Sequence, residues 1–516
     1  MTTATALKMR LNHRSLTTIL VTSMLRWSLL PSSVMAVPYS TKSSISRSTD
    51  SQSHSDSYSY SYSYRTVQVQ VIHRHGDRTP ITPLKNEEFW KNELVPEDLL
   101  ERVAVGTEVL REHGETESTN NGKNELEIHA AAGKGPFGKL TKLGLLGMIQ
   151  VGSSLKEELE ESTYWAKSTN AANTIACTSI GNGRDNNDGL SSQGRRLLEQ
   201  QESRRIKLSP RDIKVYSTDF PRTIQSVQGL LVGFFPEEDE TNTISIDCRN
   251  TTCWMIPDPQ PRQTHEQKVL ERKLAQRPHI LEQETLLRPL AVRCTNALLP
   301  LLGDGAFGVS FGVDESDPET VQKMSKAGLS PPVLSWIQLC EITKCLQTRD
   351  LLPDSITEDD REALASHTAW KWFQSLRTPR LAYIAMRGFT QTIVRALQER
   401  HREPPLIVYS GHDSSLIGLM CALHLEQPSV WPEYGAVLKL ELLEKRKEME
   451  SGSDNRSMRL GSEDHEDNTV EHVLRFFLNG ELLRSVWNDI PREEITLQEF
   501  VHLISTVGKD ATAETV

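Results

Sequence analysis

Three strand-to-loop junctions, at residues 67–80, 213–226 and 405–420, predict an α/β fold in which an open sheet is flanked by helices and reactive groups gather where strands end. Each junction has a short β-branched or alternating run that passes into a loop of Arg, His, Asp, Ser or Thr. Between the second and third junctions, residues 236–380 read as helices without alternating strands, which predicts a mostly helical cap inserted into the core.

At the first junction Val67, Val69 and Val71 alternate with polar residues, Ile72 thickens the apolar run, and Gly76 and Pro80 stop it. The loop then holds Arg74, His75, Asp77 and Arg78. Two arginines flanking a histidine suit a phosphate dianion, because planar guanidinium forks donate several charge-assisted hydrogen bonds while the imidazole is held against phosphorus. His73, His75 and Asp77 also spell the His-x-His-x-Asp spacing of zinc hydrolases, since alternate strand residues share a face. That reading needs further ligands, and the next residue is Arg78, a cation that opposes a metal. A third reading is a basic strand end that solvates itself.

The second junction alternates from Ile213 to Tyr216, then supplies Ser217, Thr218 and Asp219 as caps and Pro221 for a first helical turn. Arg222 falls at a helix N-terminus, where backbone N–H groups already favour an anion. At the third, the strand Pro405–Tyr409 runs into His412 and Asp413 and then a helix; a plain helix cap explains Asp413 equally well. Farther back, Thr141 caps an amphipathic helix through Leu145, Met148, Ile149 and Leu155.

Arg74-His75-Gly76-Asp77-Arg78-Thr79-Pro80 resembles the signature Arg-His-Gly-x-Arg-x-Pro of the histidine acid phosphatases, the acid phosphatase branch of the histidine phosphatase superfamily. Residues 138–144 match the family's Gly-x-Leu-Thr-x-x-Gly, Arg222 sits in its Ser-Thr-x-x-x-Arg-Thr context, and His412-Asp413 matches its second catalytic loop. The resemblance covers roughly residues 65–490. It implies a phosphoglycerate mutase-like open sheet and metal-independent hydrolysis of a small-molecule phosphomonoester, with no cofactor. In that scheme His75 is the nucleophile and forms a phosphohistidine; Arg74, Arg78, Arg222 and His412 bind the phosphoryl group; Asp413 protonates the leaving alcohol. His412-Asp413-Ser414, where relatives acting on inositol polyphosphates often have His-Ala-Glu, favours the general acid phosphatase branch. Trp431-Pro432 and Leu230–Pro236 resemble lysophosphatidic acid phosphatases within it. The alternatives are a zinc-dependent hydrolase and a non-catalytic phosphate-binding module, against which Asp413 speaks.

A net charge of −11 over 516 residues argues against a general nucleic-acid binder. Residues 1–36 carry Lys8, Arg10 and Arg14, the apolar run Leu16–Leu30 and small or aliphatic residues at Val34-Met35-Ala36, the layout of a signal peptide that leads to the secretory pathway, the outside or a lysosome-like compartment. Arg26 and the lack of acidic residues before Asp50 fit a mitochondrial or other organellar transit peptide as well. No other apolar run is long enough for a membrane span. Ser-rich residues 37–64 predict a disordered linker, residues 161–208 an exposed insertion, and 491–516 a C-terminal tail. The core is assigned to 65–235 and 381–490, closed by a hairpin of Leu438–Leu442 and His472–Leu478 with an exposed loop from Glu444 to Asn468. Cap helices are expected at Glu266–Leu274, Leu281–Leu298 and Thr357–Leu376. Of seven cysteines, the close pairs Cys248/Cys253 and Cys340/Cys345 fit either small disulfide loops or free thiols, and Asn250 and Asn455 head glycosylation sequons.

Overall fold

The computed structural model describes residues 61–111, 135–161, 208–236, 243–249, 254–257, 265–308, 333–426, 430–448, 470–487 and 490–509. In chain order its strands are β1 (Ser61–Arg74), β2 (Thr107–Arg111), β3 (Ile213–Thr218), β4 (Ile244–Arg249), β5 (Leu406–Gly411), β6 (Val437–Glu448), β7 (Glu471–Leu478), β8 (Glu481–Leu483) and β9 (Ile495–Thr496). The helices are α1 (Glu87–Glu93), α2 (Glu97–Ala104), α3 (Lys142–Glu161), α4 (Pro221–Phe234), α5 (His265–Ala275), α6 (Pro278–Leu298), α7 (Trp336–Gln347), α8 (Glu358–Leu376), α9 (Pro379–Gln398), α10 (Asp413–Ala422) and α11 (Leu497–Thr506).

All nine strands join one open sheet in the order β2-β4-β3-β5-β1-β6-β7-β8, with β9 beside β7. Pairs from β2 to β1 are parallel and pairs from β1 to β8 antiparallel. The expected α/β class, a sheet flanked by helices, therefore holds. Its consequence for function lies in the register: His73 sits beside Ser410, and Ser410 beside Ser217. β3, β5 and β1 are neighbours that end together, so the three junctions read from the sequence open at one edge of the sheet.

Two apolar layers hold this arrangement. On one side Val69, Val71, Val215 and Val408 pack with Leu155, Leu159, Val227 and Leu231 of α3 and α4. On the other, Ile72, Ile407 and Tyr409 meet α9 and α10 through Met386, Phe389, Leu416 and Ile417. Each such aliphatic side chain contributes about 1.5–3 kcal/mol by burial. The alternating glutamines of β1 do not face water: Gln68 and Gln70 are buried, and donate to the carbonyls of Ala396 and Ile393, while the Tyr409 hydroxyl donates to Gln70. Their period-2 pattern thus marks a strand covered on both faces, with its polar side satisfied by α9.

The structure corrects several boundaries. β1 begins at Ser61, inside the expected linker, and residues 61–65 pair with 444–448 of β6, inside the expected exposed loop. Aromatic side chains replace aliphatic ones there: the Tyr64 hydroxyl donates to Glu494, and Arg475 lies 4.3 Å over its ring. β4 falls within the stretch expected to lack strands; its alternation Ile244, Ile246, Cys248 is buried in the sheet between β2 and β3. α7 was also not anticipated in that region. The expected helices at 266–274, 281–298 and 357–376 are present as α5, α6 and α8, the last with the capping box of Thr357 and Asp360. Residues 491–509 are not a tail: Thr496 and Glu499 form a capping box, and Phe500 and Leu503 of α11 are buried against the core. Cys340 and Cys345 share α7 as free thiols, and Cys248 is free and buried. Cys253, both sequons, residues 1–60 and most of the 161–208 insertion lie outside the described residues. Among those described, no helix is long and apolar enough to cross a membrane.

Candidate active site

His75 follows the last residue of β1, and its backbone N–H donates to Gly411 at the end of β5. The loop can turn there because Gly76 lies against α3: a Cβ on Gly76 would meet the Gly144 carbonyl oxygen at 2.4 Å, and one on Gly144 would meet that of Asp77 at 2.1 Å. This contact explains Gly144 in residues 138–144 more fully than helix capping does, although Thr141 does cap α3, accepting from the Gly144 N–H at 3.1 Å. Ser226 of α4 supports the turn from the other side, its hydroxyl accepting from the Gly76 N–H at 3.0 Å.

The imidazole of His75 is buried and its tautomer is set by the backbone. Nδ1 lies 2.8 Å from the Gly76 carbonyl oxygen, which can only accept, so Nδ1 carries the proton and Nε2 keeps its lone pair. Burial, then the charges of Arg222 and Arg74, hold its pKa well below the usual histidine value, which keeps the ring neutral.

Around that ring the structure gathers every site residue expected from the sequence. Arg74 donates through Nη1 to the Pro432 carbonyl at 2.6 Å and through Nη2 to Asp413 at 2.7 Å. Arg78 pairs with Glu341 at 2.7 Å. Arg222, at the start of α4 after Pro221, reaches His412 Nδ1 at 3.5 Å, and Nε2 of His412 donates to the Thr218 hydroxyl at 3.0 Å. The His75 and His412 rings are 5.6 Å apart between centroids. Asp413 begins α10 and accepts from the Ser414 N–H; its side chain is about one-fifth exposed, at 20%. Burial alone would raise its pKa, but Arg74 and His412 outweigh that and hold it below the ordinary aspartate value.

The cluster is short of negative charge. Burial and the nearby Arg78 both disfavour the Arg222 cation and draw its pKa down to about 9. Nε of Arg74, of Arg78 and of Arg222 is in each case buried without a hydrogen-bond partner. Orphaned cationic donors in a buried site cost free energy until an acceptor arrives, and three of them around one lone pair fit the oxygens of a phosphoryl group.

His73, His75 and Asp77 do not converge on a metal position. Asp77 is taken up by Arg349 at 2.7 Å and by the Thr141 hydroxyl at 2.5 Å, while His73 turns Nδ1 to the Arg74 carbonyl. Among the described residues no group of His, Cys, Asp and Glu is arranged to hold a metal ion.

Several residues of the site were not read from the sequence. Tyr434 lies 5.8 Å from the His75 ring and 4.2 Å from the Arg74 guanidinium carbon. Phe220 packs under Arg222 and edge-on to His412. Glu341 and Arg349 come from α7 and the turn after it. Phe220 had a signal, since it stands between Thr218 and Arg222 in the second junction. Of Trp431-Pro432 and Leu230–Pro236, which suggested lysophosphatidic acid, Trp431 meets Trp372, Pro432 offers its carbonyl to Arg74, and Leu230, Leu231, Phe234 and Phe235 are buried. None of these contacts supports lysophosphatidic acid as the substrate.

A buried histidine held neutral among three arginines, at the carboxyl ends of the parallel strands of an α/β sheet, is an arrangement that suits a phosphate. Residues 67–276 match the family model described as the histidine phosphatase superfamily (branch 2), so the recognition made on Arg74–Pro80 stands. Counting factor 60 of Dictyostelium discoideum is 25% identical over 398 residues, 72% of this chain and 75% of that protein. Among solved structures, the phytase from Citrobacter braakii aligns over 86% of this chain and 97% of its own at a TM-score of 0.44 and 15% identity. A multiple inositol polyphosphate phosphatase of Bifidobacterium longum, in complex with inositol hexasulfate, aligns over 88% and 94% at a TM-score of 0.42 and 10% identity. This similarity over residues 67–276 supports phosphatase activity.

Proposed function

We propose that the chain is a metal-independent phosphomonoester hydrolase that works through a phosphohistidine on His75. The observation that carries this reading is the neutral Nε2 lone pair of His75 set among three arginines whose Nε donors are buried without partners. In the reaction, Nε2 attacks phosphorus while the bond from phosphorus to the alcohol oxygen breaks, and the arginines spread the charge of the equatorial oxygens. Asp413 protonates the departing oxygen. Water then attacks phosphorus, Asp413 takes its proton, and the phosphorus–nitrogen bond breaks to return His75 and free phosphate.

The depressed pKa of Asp413 raises the question of where its proton comes from. A phosphate bound on Arg74 weakens the attraction that keeps the carboxylate ionised, and a monoanionic ester brings a proton of its own. Both effects help supply the proton, and the need for a protonated acid or a monoanionic ester favours turnover in acid. His412, with its Nε2 donor on Thr218, supports Arg222 through Nδ1 and lines the same pocket. A zinc-dependent mechanism fits poorly, since Asp77 is committed to Arg349.

Turnover of p-nitrophenyl phosphate across pH, with and without a chelator, tests the reading. The expected result is activity that is highest in acid and indifferent to the chelator. Loss of activity on chelation, regained with zinc, would sink it.

A further inference from the structure

Glu341 takes no part in the chemistry described, yet its carboxylate is buried and makes four close hydrogen bonds. Oε2 accepts from Arg78 Nη1 at 2.7 Å and from the Ile81 N–H at 2.9 Å; Oε1 accepts from the Thr82 N–H at 2.9 Å and the Thr82 hydroxyl at 2.7 Å. The same helix reaches the loop again at Cys345, whose thiol donates to the Arg78 carbonyl. Arg78 Nη1 also donates to the Thr79 carbonyl, so that nitrogen is held from two directions. A guanidinium is planar, and fixing Nη1 this way fixes the plane and leaves Nε as a buried donor without a partner.

We propose that Glu341 is a positioning residue for the proposed hydrolysis: it sets the plane of Arg78 and offsets one of the three cations, so that Arg78 meets the phosphoryl oxygens already aligned. This rests on the hydrolase reading above. Burying a carboxylate is costly unless its lone pairs are used, and here the use is divided between one arginine and two residues of the loop that follows it. Removing the charge frees Arg78 to rotate, and misalignment of a phosphate ligand by a fraction of an ångström lowers the rate steeply.

The competing role is a brace for residues 81–82 that acts on folding alone, and a double-mutant cycle separates the two. Glu341→Gln is expected to lower kcat/KM by about tenfold or more in the wild-type background, but by less than about twofold once Arg78→Ala has removed the group it aims. Binding of inorganic phosphate, followed by calorimetry on the same four proteins, is expected to show the same coupling. An equal loss in both backgrounds, or no loss at all, overturns the proposal. Should Glu341→Gln fail to fold, Glu341→Asp, which keeps the charge and withdraws it by one methylene, is run through the same cycle under the same criteria. If the wild-type chain hydrolyses no phosphomonoester, the hydrolase reading has failed, and phosphate binding alone still decides whether Glu341 and Arg78 are coupled.

Discussion

The two loops that meet at His75 are held in opposite ways. The loop after β1 is buried, and its charges are anchored from behind: Arg78 by Glu341, Asp77 by Arg349 and Thr141, and Gly76 by Ser226. The loop after β5 is short and passes at once into α10, and Asp413 has only Arg74 and the Ser414 N–H while keeping contact with solvent. The difference fits what each half would do in the proposed hydrolysis. A group that receives the phosphoryl charge gains from being fixed in advance, whereas a group that exchanges protons with a departing alcohol and an arriving water must lie near the way out.

Four substitutions break or sharpen this contrast. His75→Ala removes the group on which the anchored half converges, and turnover should fall by three orders of magnitude or more, about 4 kcal/mol of barrier, in protein of unchanged melting temperature. Arg349→Met should act on stability, because it leaves the carboxylate of Asp77 buried without its cation; the loss, read from the urea midpoint, should be about 3 kcal/mol. Asp413→Asn probes the open half. Alkyl phosphates should slow by about a hundredfold and p-nitrophenyl phosphate by less than about fivefold, since nitrophenolate leaves without a proton. Equal losses for both esters would assign Asp413 to electrostatic support of its neighbours. Because the folded pKa of Asp413 lies below its unfolded value of about 3.9, its pairing with Arg74 stabilises the protein fully above that pH and is lost as pH falls further. The Asn variant should therefore show a shallower acid-side decline in melting temperature. Tyr64→Ala, at the far end of β1, should cost about 1 kcal/mol through the lost hydrogen bond and cation–π contacts and leave kcat/KM unchanged.

The loops of the candidate site were legible because each is a short run in which strand pattern, breaker and polar side chain follow one another. His75, Arg222 and Asp413 each belong to such a run, and the parallel register of β3, β5 and β1 brings the runs together. Glu341 and Arg349 were not legible, since they reach Arg78 and Asp77 across 263 and 272 residues. Glu341 leaves a compositional trace: it stands between Leu339 and Ile342 on a helix that also buries Cys345 and Leu346, where a carboxylate needs a partner. The start of β1 was missed because the Ser-Tyr repeat lacks aliphatic residues, and the rings that anchor it find partners only on β6, β7 and the segment before β9. The C-terminal helix was missed for a different reason. A capping box at Thr496 and Glu499 was present to be read, but ten residues of helix have little meaning until the surface that Phe500 and Leu503 cover is known.

The hydrogen bond from Arg74 to the Pro432 carbonyl joins residues 358 apart in the chain. During synthesis Arg74, His75, Arg78 and Arg222 all leave the ribosome before β5, the strand that lies between β1 and β3. Until it does, β1 has no parallel neighbour and His75 has no Gly411 carbonyl to hold its backbone. Chain closure of this range is slow to form and is completed late. A chain ending before residue 406 therefore holds Arg74, His75, Arg78 and Arg222 but lacks the strand between β1 and β3 and, with it, the Gly411 carbonyl, His412 and Asp413.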